Sequence, residues 1–266
     1  MQPGSHITGL SALRTTIARL ERRAAADRGA TPLTFGLPRV DAALPAGGVM
    51  PGALHEAWGA GPQVEHGAAV ALLAAGLLAR GPGEVLWVLE QRDIYPPALA
   101  EVGLTPNRVV YVHARKPATV LLVMEEGLRH RGLAGVVGEF SGTLSLTASR
   151  RLQLAAERSG VTAFLLRRSR CFDDPVLREP SAAVTRWRVG TLPSLPPLAH
   201  APETPGLGPA LWRLELIRCR GGEAHSWIVE AFDATGRCRL VADLADRPAA
   251  PGADRPTAPE PRRALV

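Results

Sequence analysis

Gly59, Gly61 and Gly67 lie in the stretch LHEAWGAGPQVEHGAAVALLAAGLLAR, residues 54–80, between a short apolar run and a long one. Glycines where a strand turns into a helix can form an anion cradle, in which backbone N–H groups and the helix N-terminus face a phosphate. A working loop reads G-x-x-x-x-G-K-[ST], with lysine on the β/γ-phosphates and a hydroxyl on Mg²⁺. Here Gly67 closes the loop, and Ala68 and Ala69 stand where lysine and Ser/Thr belong. Lys116, far downstream, is the chain's only lysine. Glu65, in the first turn of the expected helix, satisfies its positive end and repels a phosphate. The expectation is a nucleotide-site frame without its chemistry: no cofactor, no catalytic residue and no ATP turnover.

Other residues could serve such a site or a nucleic acid. Glu90 and Glu139 follow apolar runs, at strand ends where an acid can hold Mg²⁺ or activate water. Without phosphate contacts, Glu139 reads as an acid at a solvent-exposed strand end and Glu90 as a hydrogen-bond acceptor or a relic. Arg167, Arg168, Arg170 and Arg178 flank an irregular stretch and could follow a phosphate backbone. Asp173, Asp174 and Glu179 dilute that charge and suit a protein contact equally. Arg218 and Arg220 precede the Gly221-Gly222 turn, where a solvated turn is the simpler reading. Arg14 and Arg22 belong to an N-terminal amphipathic segment. The cysteines, Cys171, Cys219 and Cys238, form no C-x-x-C pair, and His66, His113 and His130 lack metal-ligand spacing, so neither a metal site nor a disulfide framework is expected.

The elements that must position these residues follow from periodicity. Leu10, Leu13, Ile17 and Leu20 recur at helical spacing over residues 10–26, with arginines on the other face. That helix either packs on its own domain or docks on a neighbour. Strands over 54–58, 84–89, 108–112, 133–138 and 161–167 alternate with helices over 95–102, 117–129 and 147–158 and the long helix after Gly67. This pattern predicts an α/β fold with a mostly parallel sheet covered by helices on both faces. Residues 181–190 alternate like an edge strand. Residues 212–217 and 226–232 read as an antiparallel hairpin, with Trp187, Trp212 and Trp227 packing on the sheet. Residues 192–209 have no apolar period and predict a mobile insertion. The organisation expected is a helix over 1–30, a core domain over 31–245 and a disordered Pro/Arg-rich tail over 246–266.

The chain has 266 residues, 46% of them hydrophobic, enough for a sizeable core, and a formal net charge of +6. Almost all the positive charge is arginine, which fits either a GC-rich genome or an acidic or nucleic-acid partner. The N-terminus lacks signal architecture, and the longest apolar run falls short of the roughly 20 residues of a membrane span. A cytoplasmic protein with no membrane contact is expected.

Several segments together resemble a known family. LTFGLPRVDAALPAGGVMPGALHEAWG, through Gly36, Asp41, Leu44, Gly47, Gly48, Pro51 and Gly52, resembles the entry to the RecA-family ATPase core. RSRCFDDPVLREP followed by SAAVTRWRV occupies the place of that family's second DNA-binding loop and next strand. ELIRCRGG resembles the strand and turn that carry basic residues toward a neighbour's nucleotide. Within the superfamily, FGLPRVDAALPAGG, VLWVLEQRDIYPPALAEVGL, LTASRRLQLAAERSGVTAFLLRR, SAAVTRWRV and WRLELIRCRGGEAHSWIVEA are similar to the ImuA family over most of residues 33–245. The resemblance implies a RecA-like core extended by an antiparallel C-terminal hairpin, with Glu90 near the family's catalytic glutamate. It implies an accessory role in damage-induced translesion mutagenesis. It also implies partners: an ImuB-type inactive relative of the Y-family polymerases, RecA, and through them an error-prone C-family polymerase. DNA and a second copy of the chain are further candidate partners. A degenerate ATPase and a stand-alone single-stranded DNA-binding protein are the rival readings.

Overall fold

A computed structural model describes residues 31–241, except 199, 202, 234 and 236. The expected N-terminal helix with Arg14 and Arg22, and the tail 246–266, lie outside the described residues.

The core begins with a short helix α1 (Pro38–Asp41), whose Asp41 carboxylate accepts from the backbone N–H groups of Phe35 and Leu37 and so fixes the entering chain. Strand β1 (Leu54–Gly59) is buried along its whole length and leads into α2 (Gln63–Ala79). Arg108 closes the far end of α2: its guanidinium donates to the carbonyls of Ala79 and Leu78, left without helical partners, and to those of Gly81 and Gly83 in the turn. That turn delivers β2 (Glu84–Leu89), followed by α3 (Pro96–Glu101) and β3 (Val109–His113). Proline starts both α3 and α4 (Pro117–Gly127), where a missing N–H costs nothing. After β4 (Leu133–Phe140), helix α5 (Leu146–Ser159) is capped by the Ser145 hydroxyl and ends at Gly160 in the left-handed region. Then come β5 (Thr162–Arg167), β6 (Thr185–Leu192), β7 (Leu211–Cys219), β8 (His225–Glu230) and β9 (Arg239–Leu240).

The strands form one sheet in the order β3-β2-β4-β5-β1-β6-β7-β8-β9. The first six pair parallel; β7, β8 and β9 pair antiparallel. Helices α2 and α3 cover one face, with Trp87, Trp187 and Trp212 in the core beneath them; α4 and α5 cover the other. The mostly parallel sheet with a C-terminal antiparallel extension is as expected. The placement of β6 is not: it lies inside the sheet between β1 and β7, not at an edge. Its alternation reads as half-exposed because Arg186 and Arg188 face away from α2, yet the 168–180 loop covers Arg186, whose guanidinium donates to the Leu177 carbonyl. Strand β9 has only two residues, too few for any period to show. Among the described residues no helix is long and apolar enough to cross a membrane.

Candidate nucleotide-type crevice

In sheets of this kind ligands bind at the carboxyl ends of the strands. Here the turns after β1, β2, β4 and β5 surround a crevice of about 750 Å³. One wall is the first half of α2, with Val64, Ala68, Ala71 and Leu72, and the other is Ile94, Tyr95 and Ala98 around α3. The floor is polar: Gln91, Asp93, Glu139, Ser141 and Arg168.

The glycine loop is shorter than its sequence suggests. Only Ala60, Gly61 and Pro62 separate β1 from α2. Gly67 does not close a loop; it is buried within α2, where a Cβ would overlap the Gln63 side chain. Several of the backbone donors around the turn are already engaged. The Ala60 N–H donates to the Val189 carbonyl at 2.9 Å and the Gln63 N–H to the Ser169 carbonyl at 2.9 Å. The Glu65 and His66 N–H groups both donate to the Pro62 carbonyl. The space over the glycines is filled as well. A Cβ on Gly59 would meet the His66 Cβ at 2.7 Å, and one on Gly61 would meet the His66 imidazole and the Phe172 ring at 3.1 Å. His66 is held by Thr191, whose backbone N–H donates to its Nδ1 at 3.2 Å. Ala68 is exposed on the crevice wall and Ala69 is buried beneath it.

The two acids are also committed. Glu139 is not a solvent-exposed strand end but a buried side chain within β4, 5% exposed. Its carboxylate accepts from Trp87 Nε1 at 3.0 Å and from Arg168 at 2.7 Å. Burial raises its pKa, against the lowering effect of Trp87 and Arg168. The Arg168 guanidinium also pairs with Asp93 and donates to Gln91. Burial works against its charge, but Asp93 and Glu139 hold its pKa above the ordinary arginine value. A protein cation therefore bridges the two carboxylates. Glu90 accepts from the Ser141 N–H at 2.8 Å and hydroxyl at 2.6 Å.

Of the arginines expected at the 168–180 loop, one is buried and one is half-buried in the crevice floor. Arg167 is 2% exposed; it donates to the carbonyls of Gly142 and Val176, lies 3.9 Å from Glu56 and stacks on Phe140. Arg168 is the floor residue just described. Arg170 and Arg178 are exposed; Arg178 pairs with Asp173 and Arg170 lies 3.6 Å from Asp174. Arg218 and Arg220 are exposed at the opposite, amino-terminal edge of β1 and β6, donating to the carbonyls of Ser181 and Ala182. Sequence reasoning missed the fully buried Glu56, which takes Arg186 at 3.1 Å and the Ser181 hydroxyl and so ties the 168–180 loop to β1. It also missed Asp93 and Gln91. The available signal was a charge inside an apolar strand, HEAW facing TRWRV.

No family model matches the chain. Among solved structures it is similar to the RadB recombinase, with a TM-score of 0.53 and 17% identity, over 79% of this chain and 99% of that one, which establishes a RecA-like fold. It is 41% identical to Protein ImuA of two strains of Caulobacter vibrioides, NA1000 / CB15N and ATCC 19089, over 84% of this chain and 94% of theirs. The chain belongs to the ImuA family. The crevice of this ImuA-family member thus lies at the strand ends of a RecA-like fold, with several nearby backbone donors and both acids engaged in internal bonds.

Proposed function

We propose that the chain is a non-catalytic RecA-like accessory protein of a DNA-damage-induced translesion mutagenesis complex. It acts through protein contacts with an ImuB-type polymerase relative and with RecA, and through them with an error-prone C-family polymerase. Family membership supports the mutagenesis role. The observation that supports the non-catalytic reading is the engagement of the Ala60 and Gln63 N–H groups by Val189 and Ser169 carbonyls. A loop bonded in this way offers a triphosphate fewer free donors, and oxyanion stabilisation by such donors dominates phosphoryl transfer. The polar floor of the crevice is already paired, so the protein's exposed surfaces are left to do the binding.

The test is co-purification of the full chain with an ImuB-type protein and with RecA, with and without Mg²⁺-ATP, alongside a turnover assay. The expected result is capture of both proteins irrespective of nucleotide and no turnover above background. Hydrolysis that disappears in Glu139→Gln would overturn the non-catalytic reading, and failure to capture either protein would overturn the partner reading.

A further inference from the structure

On the face of the sheet away from α2, a groove of about 280 Å³ lies between the end of α4 and the second half of α5. Four arginines line it, Arg129, Arg131, Arg151 and Arg158, around a single carboxylate, Glu125. Glu125 is largely shielded: one oxygen takes Arg129 at 3.3 Å and the other takes Arg151 at 2.6 Å. It thus holds two guanidinium groups in place, and both stay open to solvent, with side chains 62% and 57% exposed. Arg131 and Arg158 are exposed, and neither forms an ion pair or hydrogen bond among the described residues. Glu126, outside the groove, takes Arg129 at 2.9 Å, so four cations stand against two carboxylates. The carbonyl end of α5 accounts for one basic residue, Arg158 in its last turn. It does not account for four that converge from two helices and a turn.

Guanidinium groups take carboxylates or phosphates through paired N–H bonds. The apolar part of the groove decides between the two. Arg151, Leu154 and Arg158 are spaced three and four residues apart and share one face of α5. Leu154, between the two arginines, is 49% exposed. A leucine set in this way among cations calls for an apolar side chain in the partner. A nucleic-acid strand would instead bring bases, which are held by stacking on aromatic rings. No Phe, Tyr or Trp lines this groove. A protein segment that carries an apolar side chain among carboxylates matches both the charge and the leucine.

We propose that the α4–α5 groove docks an acidic segment of a partner protein. The segment's carboxylates meet Arg131, Arg158 and the open N–H groups of Arg129 and Arg151, and an apolar side chain lies on Leu154. This rests neither on the state of the crevice nor on which proteins the chain meets. The probe is a short labelled peptide of glutamates with leucines at helical spacing, titrated with the full chain by fluorescence anisotropy at rising salt. The same peptide with glutamine for glutamate and a labelled oligothymidylate are run beside it. The expected result is saturable, salt-sensitive binding of the glutamate peptide. Arg131→Gln/Arg158→Gln should weaken it by about ten-fold, and Leu154→Gln by a smaller factor. All three positions are exposed, so the fold is kept. Arg213→Gln/Arg239→Gln, exposed on β7 and β9, should leave the affinity unchanged. Absence of binding, equal binding of the glutamine peptide, or an affinity indifferent to Arg131→Gln/Arg158→Gln would overturn the proposal. So would a loss of the same size in Arg213→Gln/Arg239→Gln. An unchanged affinity in Leu154→Gln would overturn the choice of a protein segment over a simple polyanion. Oligothymidylate binding that needs Arg131 and Arg158, and that the glutamate peptide fails to displace, would assign the groove to nucleic acid instead.

Discussion

Arg168 and Glu139 show how individual side chains pair in the floor of the crevice. Both are largely shielded; Arg168 is the ionic partner of Glu139, at 2.7 Å, and also pairs with the more exposed Asp93. Removing one member of such a pair strands the other's charge, at a cost of about 3–5 kcal/mol. Arg168→Met should therefore destabilise the protein by about that amount in denaturant melts, and Arg168→Met/Glu139→Gln should recover a large part of it. Equal losses from the single and double variants would contradict the ion-pair account. His55 supplies a second residue-scale test. It is fully buried in β1, its Nε2–H donating to the Met50 carbonyl and its Nδ1 accepting from the Thr185 hydroxyl, which itself takes Trp187 Nε1–H. Burial lowers its pKa from 6.5 to about 4, against the raising effect of the Met50 bond. The unfolded chain therefore takes up this proton first as pH falls. The stability that neutral His55 contributes is complete above about 6.5 and is lost as pH drops toward about 4. The full effect is about 3 kcal/mol. Melts between pH 7 and pH 4 should show this slope, and His55→Gln should flatten it.

At the scale of elements, the β1–loop–α2 unit bears on what side-chain replacement at the crevice can achieve. The sequence shows the missing lysine and hydroxyl plainly, because those depend on residue identity at fixed spacing. It does not show that α2 begins as early as Gln63, that Gly67 is inside the helix, or that the Ala60 and Gln63 N–H groups are bonded to β6 and the 168–180 loop. Those facts depend on which distant carbonyls the fold brings alongside, and no local pattern encodes them. For the same reason the α/β order and the C-terminal hairpin were legible from periodicity, whereas the interior position of β6 and the buried Glu56–Arg186 pair were not. Strands covered by a loop carry their charges inward without changing their alternation. Ala68→Lys/Ala69→Ser, which rebuilds the missing pair, should therefore still fail to bind Mg²⁺-ATP in a calorimetric titration. Recovered binding would show that the backbone cradle had been open all along.

The whole molecule is a RecA-like frame whose crevice is floored by side chains already paired with one another. The arginine surplus fits this picture. Arg167 is buried, Arg168 lies in the crevice floor, and Arg178, Arg188, Arg170 and Arg220 stand beside Asp173, Glu215, Asp174 and Glu157, which leaves Arg218 among the exposed cations available to an acidic partner. If the paired crevice admits no nucleotide, folding and assembly need none. A ligand at 100 times its dissociation constant adds about 2.7 kcal/mol of stability, and each kcal/mol moves the melting temperature of a domain this size by about 2–4 °C. The most direct measurement is a thermal melt of the full chain with and without saturating Mg²⁺-ATP. The account predicts superimposable curves; a rise of about 5 °C or more would contradict it and make the protein a nucleotide-dependent switch.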